Sequence, residues 1–496
     1  MNPQNIKERF LPSSQNVLYL KSLFCTTMKS IPLPKTLLLI VAFSIQQQNV
    51  FCQEISVEHN YAMNAPGIVM VQAVFSATVY VNKVDMNERP FNHLVDSVKK
   101  LDTSGSILTP SQKLDIVVKT LYKRPFKYFS ASTEYFRQVH RVQSSGTGFI
   151  ISSDGYVVTN CHVIDRDSAY IRSKFILSTF QEVTDANINA LQSSWAMTLT
   201  DEQRNLLYNA YTQIYSQVSS MILFDLKKEL YVSYRTDTVN ARLTDAVGQG
   251  ETATTKKIAR LIRKGKPMPG KDVAILKIED GDNLPTLSFS NDPLVRIGTQ
   301  VLVLGYPEPA TSNAFLASEA SIEPTLTTGI VSAIKKSAGG WPVIQMDAII
   351  SHGSSGSPVC NDRGEVIGLA TFGSLEQGGS GLASGFNFAI PVSVVKEYMD
   401  SPELHPGLSK ASIAFNEGLN FFYQQFYRKA LDKFEKVKKL NKNYPQVAFY
   451  IDQCRTKITH GNGKNSPPRE YILWIMILIA FLTGGYLLWR RRRSVY

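Results

Sequence analysis

Hydrophobic and polar positions follow three successive rhythms along this chain. Between about residues 60 and 400 short apolar runs recur, separated by glycine, asparagine and aspartate. Residues 66–84, with Ile68-Val69-Met70-Val71 and Ala77-Thr78-Val79-Tyr80-Val81, predict a first pair of β-strands. Residues 148–158 predict strand, turn at Asp154-Gly155, strand, with His162 at the end of the second. Further strands are expected at 230–234, 273–278, 301–305, 328–334, 343–347, 366–371 and 386–390. Many short strands with turn residues between them point to a β-barrel or a sandwich. Two stretches break this rhythm and read as insertions. Residues of about 87–142 are polar and helix-prone. Residues of about 166–227 include helical apolar spacing over 184–217, with Asp201-Glu202 after Thr200 marking a helix start.

After Pro402 the period lengthens. Residues 411–441 predict amphipathic helix, and a further partial helix follows at 445–457. Gly418, Phe421, Ala430 and Phe434 stand at the offsets of a tetratricopeptide repeat, with small residues where two helices touch. The segment 408–457 is too short to be stable as a repeat array, so it must dock on the body or on a protein partner. It reads equally as a plain helical hairpin that spaces the body from a membrane. A linker follows at 458–470. Then residues 471–489 are apolar and carry no charge. At about 1.5 Å per residue this run is about 28 Å long, enough for one membrane crossing. Arg490 to Arg493 come next and place the tail 490–496 in the cytoplasm. At the other end, Lys29 and Lys35 precede the apolar stretch 36–45, and Val50 and Cys52 suit the positions before a cleavage point. Residues 1–52 therefore read as a signal-peptide region, with Met28 an alternative start. Both ends predict an exported body, on the periplasmic or extracytoplasmic side of the cell membrane, held by a single C-terminal span.

Composition adds exclusions. Of 496 residues, 44% are hydrophobic and 10% aromatic, as in globular proteins rather than disordered ones. The net charge of +12 includes the arginine cluster beside the apolar run, and Lys433, Lys436, Lys438, Lys439 and Lys442 suit a solvated helix face. No motif combines basic and aromatic residues in the manner of nucleic-acid binding, so no nucleic-acid partner is predicted. The five cysteines fall to three after processing, which excludes a dense disulfide framework. A Cys161–Cys360 bridge and buried free thiols both remain open. No His, Cys and carboxylate cluster has metal-ligand spacing, so no metal or cofactor is expected.

The chemistry lies in two short stretches. One is Thr159-Asn160-Cys161-His162-Val163, after the glycine-rich Gly146-Thr147-Gly148. The other is Gly353-Ser354-Ser355-Gly356-Ser357-Pro358. A serine is a weak nucleophile and needs a base, a group that orients the base, and donors for the oxyanion. Ser355 between glycines can sit on a tight turn that aims the Gly353 and Ser355 N–H groups at one point. His162 lies far upstream, as the order His, Asp, Ser requires. Asp272 heads an apolar strand, where a carboxylate can be buried against an imidazole. Asp165 is the rival, poorly placed three residues after the histidine.

These pieces resemble the HtrA/Deg type of trypsin-like serine peptidase. Besides the two stretches, the resemblance rests on Asp272-Val273-Ala274-Ile275-Leu276-Lys277, Gly305-Tyr306-Pro307, Thr328-Gly329-Ile330-Val331-Ser332, Gln345-Met346-Asp347-Ala348 and Gly385-Phe386-Asn387-Phe388-Ala389-Ile390-Pro391. It implies a mainly β protease domain over 53–400, built as a double six-stranded β-barrel with the helical insertions. The triad His162, Asp272 and Ser355 would lie in the cleft, with Gly353 and Ser355 as oxyanion donors. It further implies a serine endopeptidase acting on protein or peptide substrates, with a role in envelope protein quality control. The primary specificity pocket is expected near residues 348–351 and 371–374, and a homo-oligomer is left open. Three departures stand out. No PDZ domain is recognisable. Ser357 occupies a place often held by glycine. His162 and Asp272 are 110 residues apart, a long interval whose helical filling is positioned to act as a lid. The rival reading is a silent protease-fold scaffold that recruits partners through its helical repeat.

Overall fold

The computed structural model describes residues 55–101, 108–217, 221–237, 252–279, 281–291, 295–311, 323–375, 382–464 and 483–484. All belong to one unit, Ile55–Tyr496. The first element of the described residues is helix α1 (Val57–Asn64), whose N-terminus is capped by the Ser56 side chain. Strand β1 (Ile68–Met86) leads to helices α2 (Glu88–Lys100) and α3 (Pro110–Lys123), and β2 (Phe129–Ile150) returns antiparallel to β1. Then come β3 (Tyr156–Thr159), a helical turn at Cys161–Ile164, and helices α4 (Ser168–Trp195) and α5 (Asp201–Gln217). Strands β4 (Met221–Asp237), β5 (Thr252–Lys264) and β6 (Ala274–Ile278) complete a closed barrel in the order β1-β2-β3-β6-β5-β4.

A second closed barrel is formed by β7 (Gln300–Gly305), β8 (Thr325–Lys336), β9 (Pro342–Met346), β10 (Pro358–Cys360), β11 (Val366–Leu375) and β12 (Leu382–Pro391). Alternation fills both barrels. In the first, Val69, Val71, Ile150, Val157, Ala274 and Leu276 point inward; in the second, Val301, Val303, Ile344, Met346 and Val359 do so. Phe149, Tyr156, Leu302, Leu304 and Tyr306 share one apolar cluster that joins the two barrels. Burial of that many large side chains is the main term holding the barrels together.

Several expectations need correction. The strand pair expected over 66–84 is the single strand β1. Gln72 to Ser76 contain no turn residue, and Ala73, Val74 and Phe75 are buried, so nothing breaks the strand there. The first insertion is narrower than 87–142, because residues 129–142 belong to β2. Their alternation is weak in sequence because Gln138 and His140 occupy inward positions. The second insertion ends before Met221 rather than at 227. Strand β5 had no sequence counterpart: Ile258, Ala259, Leu261 and Ile262 carry a helix-like spacing.

The insertions build a third core. Leu94, Val98, Val118 and Leu121 from α2 and α3 meet Val183, Ile188, Leu207 and Ile214 from α4 and α5, on a platform of Val81 and Phe129. Thr200 and Gln203 form the reciprocal cap of α5, as its sequence predicts.

Helices α6 (Lys410–Tyr423), α7 (Tyr427–Leu440) and α8 (Val447–Thr459) pack together, with Gly418 lying against the Phe434 ring. Their dock is on the body. Ser412 Oγ accepts from Thr286 N–H at 2.8 Å and lies 3.2 Å from the Tyr444 hydroxyl. The Asp237 carboxylate accepts from the Gln446 and Ala448 N–H groups, both at 2.9 Å, at the start of α8. Lys436, Lys438 and Lys439 lie on the solvent side of α7.

No helix among the described residues is long and apolar enough to cross a membrane. The expected signal region 1–52 and the apolar run 471–489, apart from Thr483 and Gly484, lie outside the described residues.

Helix α1 closes the bundle. His59 stacks on Tyr423 at 4.5 Å, is 6% exposed, and its Nε2 has no hydrogen-bond partner among the described residues. Burial lowers its pKa to about 4. A base held below its unfolded value near 6.5 stabilises the fold above pH 6.5, and that stability is lost as pH falls towards 4. The loss should reach about 3 kcal/mol. His59→Phe keeps the stack, so it should flatten the fall in melting temperature between pH 7 and 4. An unchanged slope would mean that other groups drive the acid transition.

Candidate active site

Both barrels contribute to the cleft. His162 enters it because β3 ends at Thr159 and the chain turns at once into a single helical turn. Asp272 immediately precedes β6 and is fully buried. Three donors converge on its carboxylate: His162 N–H on Oδ1 at 2.9 Å, and on Oδ2 His162 Nδ1 at 2.6 Å and the Thr371 hydroxyl at 2.8 Å. The carboxylate therefore fixes both the ring's orientation and its tautomer, leaving Nε2 free to accept a proton. Asn160 Nδ2 secures the Asp272 carbonyl at 2.7 Å.

Asp165 does not reach the imidazole. It pairs with Lys228 at 3.3 Å and with Lys264. Burial works to raise its pKa, but hydrogen bonds and charge from the two lysines hold it below the usual carboxylate range. Of the two carboxylates, only Asp272 contacts the His162 ring.

The Ser355 loop depends on two left-handed glycines, Gly353 at φ 90° and Gly356 at φ 88°. A side chain on Gly356 would place Cβ 2.0 Å from the Thr147 carbonyl oxygen. Thr147, from the first barrel, anchors this loop of the second. Its N–H donates to the Ser355 carbonyl at 2.8 Å, and its hydroxyl donates to the Gly353 carbonyl at 2.8 Å. The same hydroxyl accepts from Tyr306 N–H at 2.9 Å.

The Gly353 and Ser355 N–H groups have no hydrogen-bond partner among the described residues. The preceding carbonyl, that of His352, accepts from Glu308 N–H at 2.6 Å. Carbonyl and N–H point in opposite directions across a trans peptide, so this bond turns the Gly353 N–H away from Glu308. Two unpaired amides on one tight turn suit an oxyanion. Ser355 Oγ donates to the Thr371 carbonyl at 3.1 Å, and no hydrogen bond joins it to His162. A rotation about the Ser355 side chain is therefore needed before His162 can take its proton.

Ser357, the sequence departure, is fully buried, and its hydroxyl has no partner among the described residues. It lies against Gly305, where an added Cβ would come within 2.0 Å of Oγ. It borders a cavity of about 110 Å³ behind the loop, also lined by Ser351 and Ser354. Near the expected specificity pocket, Ala348 and Ile350 are buried, Ile349 is exposed, and Asn387 Nδ2 holds the Ala348 carbonyl at 2.8 Å.

Cys161 and Cys360 are free and buried rather than bridged. Burial pushes their thiols up to about 11 and about 12, so neither is a thiolate at neutral pH. No metal-binding group of three His, Cys, Asp or Glu occurs among the described residues.

A chain of hydrogen bonds through Thr371 and Thr147 connects all four residues singled out in sequence, His162, Asp272, Gly353 and Ser355. The structure adds Thr147, Asn160 and Thr371. The first two sit in motifs visible in the sequence. Thr371 is 99 residues from Asp272, and nothing in the linear pattern marks their bond.

Residues 232–369 match the model of the trypsin-like peptidase domain, a range that contains Asp272 and Ser355. A "Probable periplasmic serine endoprotease DegP-like" of Rhizobium meliloti is 35% identical over 133 residues, covering 26% of this chain and 23% of that protein. "Serine endoprotease DegS" of Haemophilus influenzae is 32% identical over 133 residues, covering 26% of this chain and 35% of its own length. The chain thus spans about a quarter to a third of the length of these relatives. Among solved structures, "HtrA-type protease AlgW with decapeptide" aligns at TM-score 0.33 and 20% identity, covering 69% of this chain and 66% of its own.

Proposed function

We propose that this protein is an exported, membrane-anchored serine endopeptidase of the HtrA/Deg type. His162 is the general base, Asp272 orients it, Ser355 is the nucleophile, and the Gly353 and Ser355 N–H groups receive the oxyanion. The observation that carries this reading is the Asp272 carboxylate, which binds both the backbone and Nδ1 of His162 from a fully buried position. Such a contact leaves Nε2 as acceptor and stabilises the imidazolium once it forms. In the reaction Ser355 Oγ attacks the scissile carbonyl while His162 Nε2 takes its proton. The proton then passes to the departing amine, and water repeats the sequence on the acyl-enzyme. Membrane anchoring rests on the apolar run 471–489 and the arginines after it, and peptide or protein substrates follow from the chemistry.

A second reading has one observation in its favour. The Ser355 hydroxyl is bonded to the Thr371 carbonyl and not to His162, as a silent protease-fold scaffold would allow. The helices α6 to α8, read as a tetratricopeptide-like segment, would then recruit the partner.

Fluorophosphonate labelling separates the two. The full chain in detergent is expected to label at Ser355, and Ser355→Ala to lose the label. Absence of labelling with and without added peptides would favour the scaffold. In the same cells, an alkaline-phosphatase fusion at Gly461 should be active, and an inactive fusion would overturn the exported topology.

A further inference from the structure

Strand β2 spans 22 residues and reaches well beyond the barrel. One edge is paired with β1 from Phe149 to Phe129. On the other edge only Phe149 and Ile150 are paired, with β3. Between these and the far end, Thr147 N–H is taken by the Ser355 carbonyl. Among the described residues, the backbone groups of 135–145 that face away from β1 have no backbone partner. At about 3.3 Å per residue this open edge runs on the order of 30 Å, starting beside the nucleophile.

Its two faces differ. The inner face is braced by α4, where Thr179 Oγ1 lies 2.5 Å from His140 Nε2 and Phe175 stacks on the His140 ring. The outer face presents Tyr135, Arg137, Val139 and Arg141, all exposed. Neither arginine has a carboxylate partner among the described residues. A strand added to this edge would gain main-chain hydrogen bonds from β2 and set alternate side chains beside that row. The arginines favour carboxylates there, and the half-buried inner face, with Phe136, Gln138 and Val142, favours apolar residues on the other side of the added strand.

Thr371 lies on one side of Ser355, through its carbonyl, and Thr147 on the other, through its N–H. We propose that the free edge of β2 is an exosite that takes the leaving-amine half of a protein substrate as an added β-strand, selecting stretches in which acidic and apolar residues alternate. The proposal rests on the peptidase reading above, and it assigns the long β1–β2 arm a role in substrate choice.

The test uses the full chain in detergent and one cleavable peptide, either short or extended on its leaving side by about ten residues of alternating Glu and Val, or of Lys and Val. The wild type should favour the Glu–Val over the Lys–Val extension by about tenfold in kcat/KM, and Arg137→Glu/Arg141→Glu should reverse the order. N-methylation of alternate amides in the Glu–Val extension should remove its advantage in the wild-type protein, whatever the variant's folding. Equal kcat/KM for the two extensions, or indifference to N-methylation, would overturn the added strand. Fluorescence anisotropy of the Glu–Val extension alone on Ser355→Ala separates the two ideas. Binding without cleavage of any peptide would sink the peptidase reading and keep the docking strand, and no binding would sink the strand itself.

Discussion

Asp272→Asn is expected to lower kcat about 10⁴-fold while leaving the fold intact. The size follows from the hydrogen-bond pattern at the carboxylate. Oδ1 accepts from the His162 backbone N–H, and Oδ2 accepts from both His162 Nδ1 and the Thr371 hydroxyl. An asparagine can keep the first bond with its carbonyl oxygen. Its NH₂ group must then face Nδ1 and can only donate. That forces the proton of the neutral imidazole onto Nε2, where it blocks acceptance of the Ser355 proton. The Thr371 hydroxyl also loses its acceptor. A pre-steady-state burst of product at wild-type rate in Asp272→Asn would mean that another group orients the base. Asp165 is not available for the task, since Lys228 and Lys264 occupy it.

Gly356→Ala should have the largest effect on stability of any single methyl added to the site. The new Cβ would sit 2.0 Å from the Thr147 carbonyl oxygen and 2.6 Å from the Thr159 hydroxyl. The backbone angle of φ 88° is also one that a residue with a side chain adopts only under strain. Strain alone costs about 1–3 kcal/mol. The overlap is with backbone, so it cannot be relieved by turning a side chain, and the total should exceed about 4 kcal/mol. Thermal unfolding should register the loss, and fluorophosphonate labelling of Ser355 should stop even where folded protein remains. A Gly356→Ala protein that melts and labels like the wild type would show that the loop has a different shape from the one described.

The sequence and the structure agree best where chemistry dictates the residues. The contact between His162 and Asp272 was legible because a histidine after a glycine-rich strand and an aspartate heading an apolar strand are each distinctive local settings. The strands of the second barrel, apart from the three-residue β10, were legible too, since their apolar runs fall between glycine turns. Three things were hidden. β5 carries apolar residues at helix-like intervals and is a strand only because β4 and β6 pair with it. The first half of β2 buries a histidine and half-buries a glutamine where the alternation called for apolar residues. Thr371 matters through a bond to Asp272 across the cleft, and a contact between distant segments leaves no periodic trace in either.

The packing of α1 has a consequence for how the chain acquires its fold during synthesis. Asn60 donates to the Asn361 carbonyl across 301 residues of sequence, and His59 stacks on Tyr423. Ala62 shares its core with Ala411 and Phe415. Helix α1 is therefore made long before the segments that cover its buried side, His59, Asn60 and Ala62. Each barrel can close as its own strands arrive, but this layer cannot, and contacts so distant in sequence form slowly. Until α6 to α8 are made, His59 and Ala62 lack their covering partners, and the layer is completed only when those helices arrive.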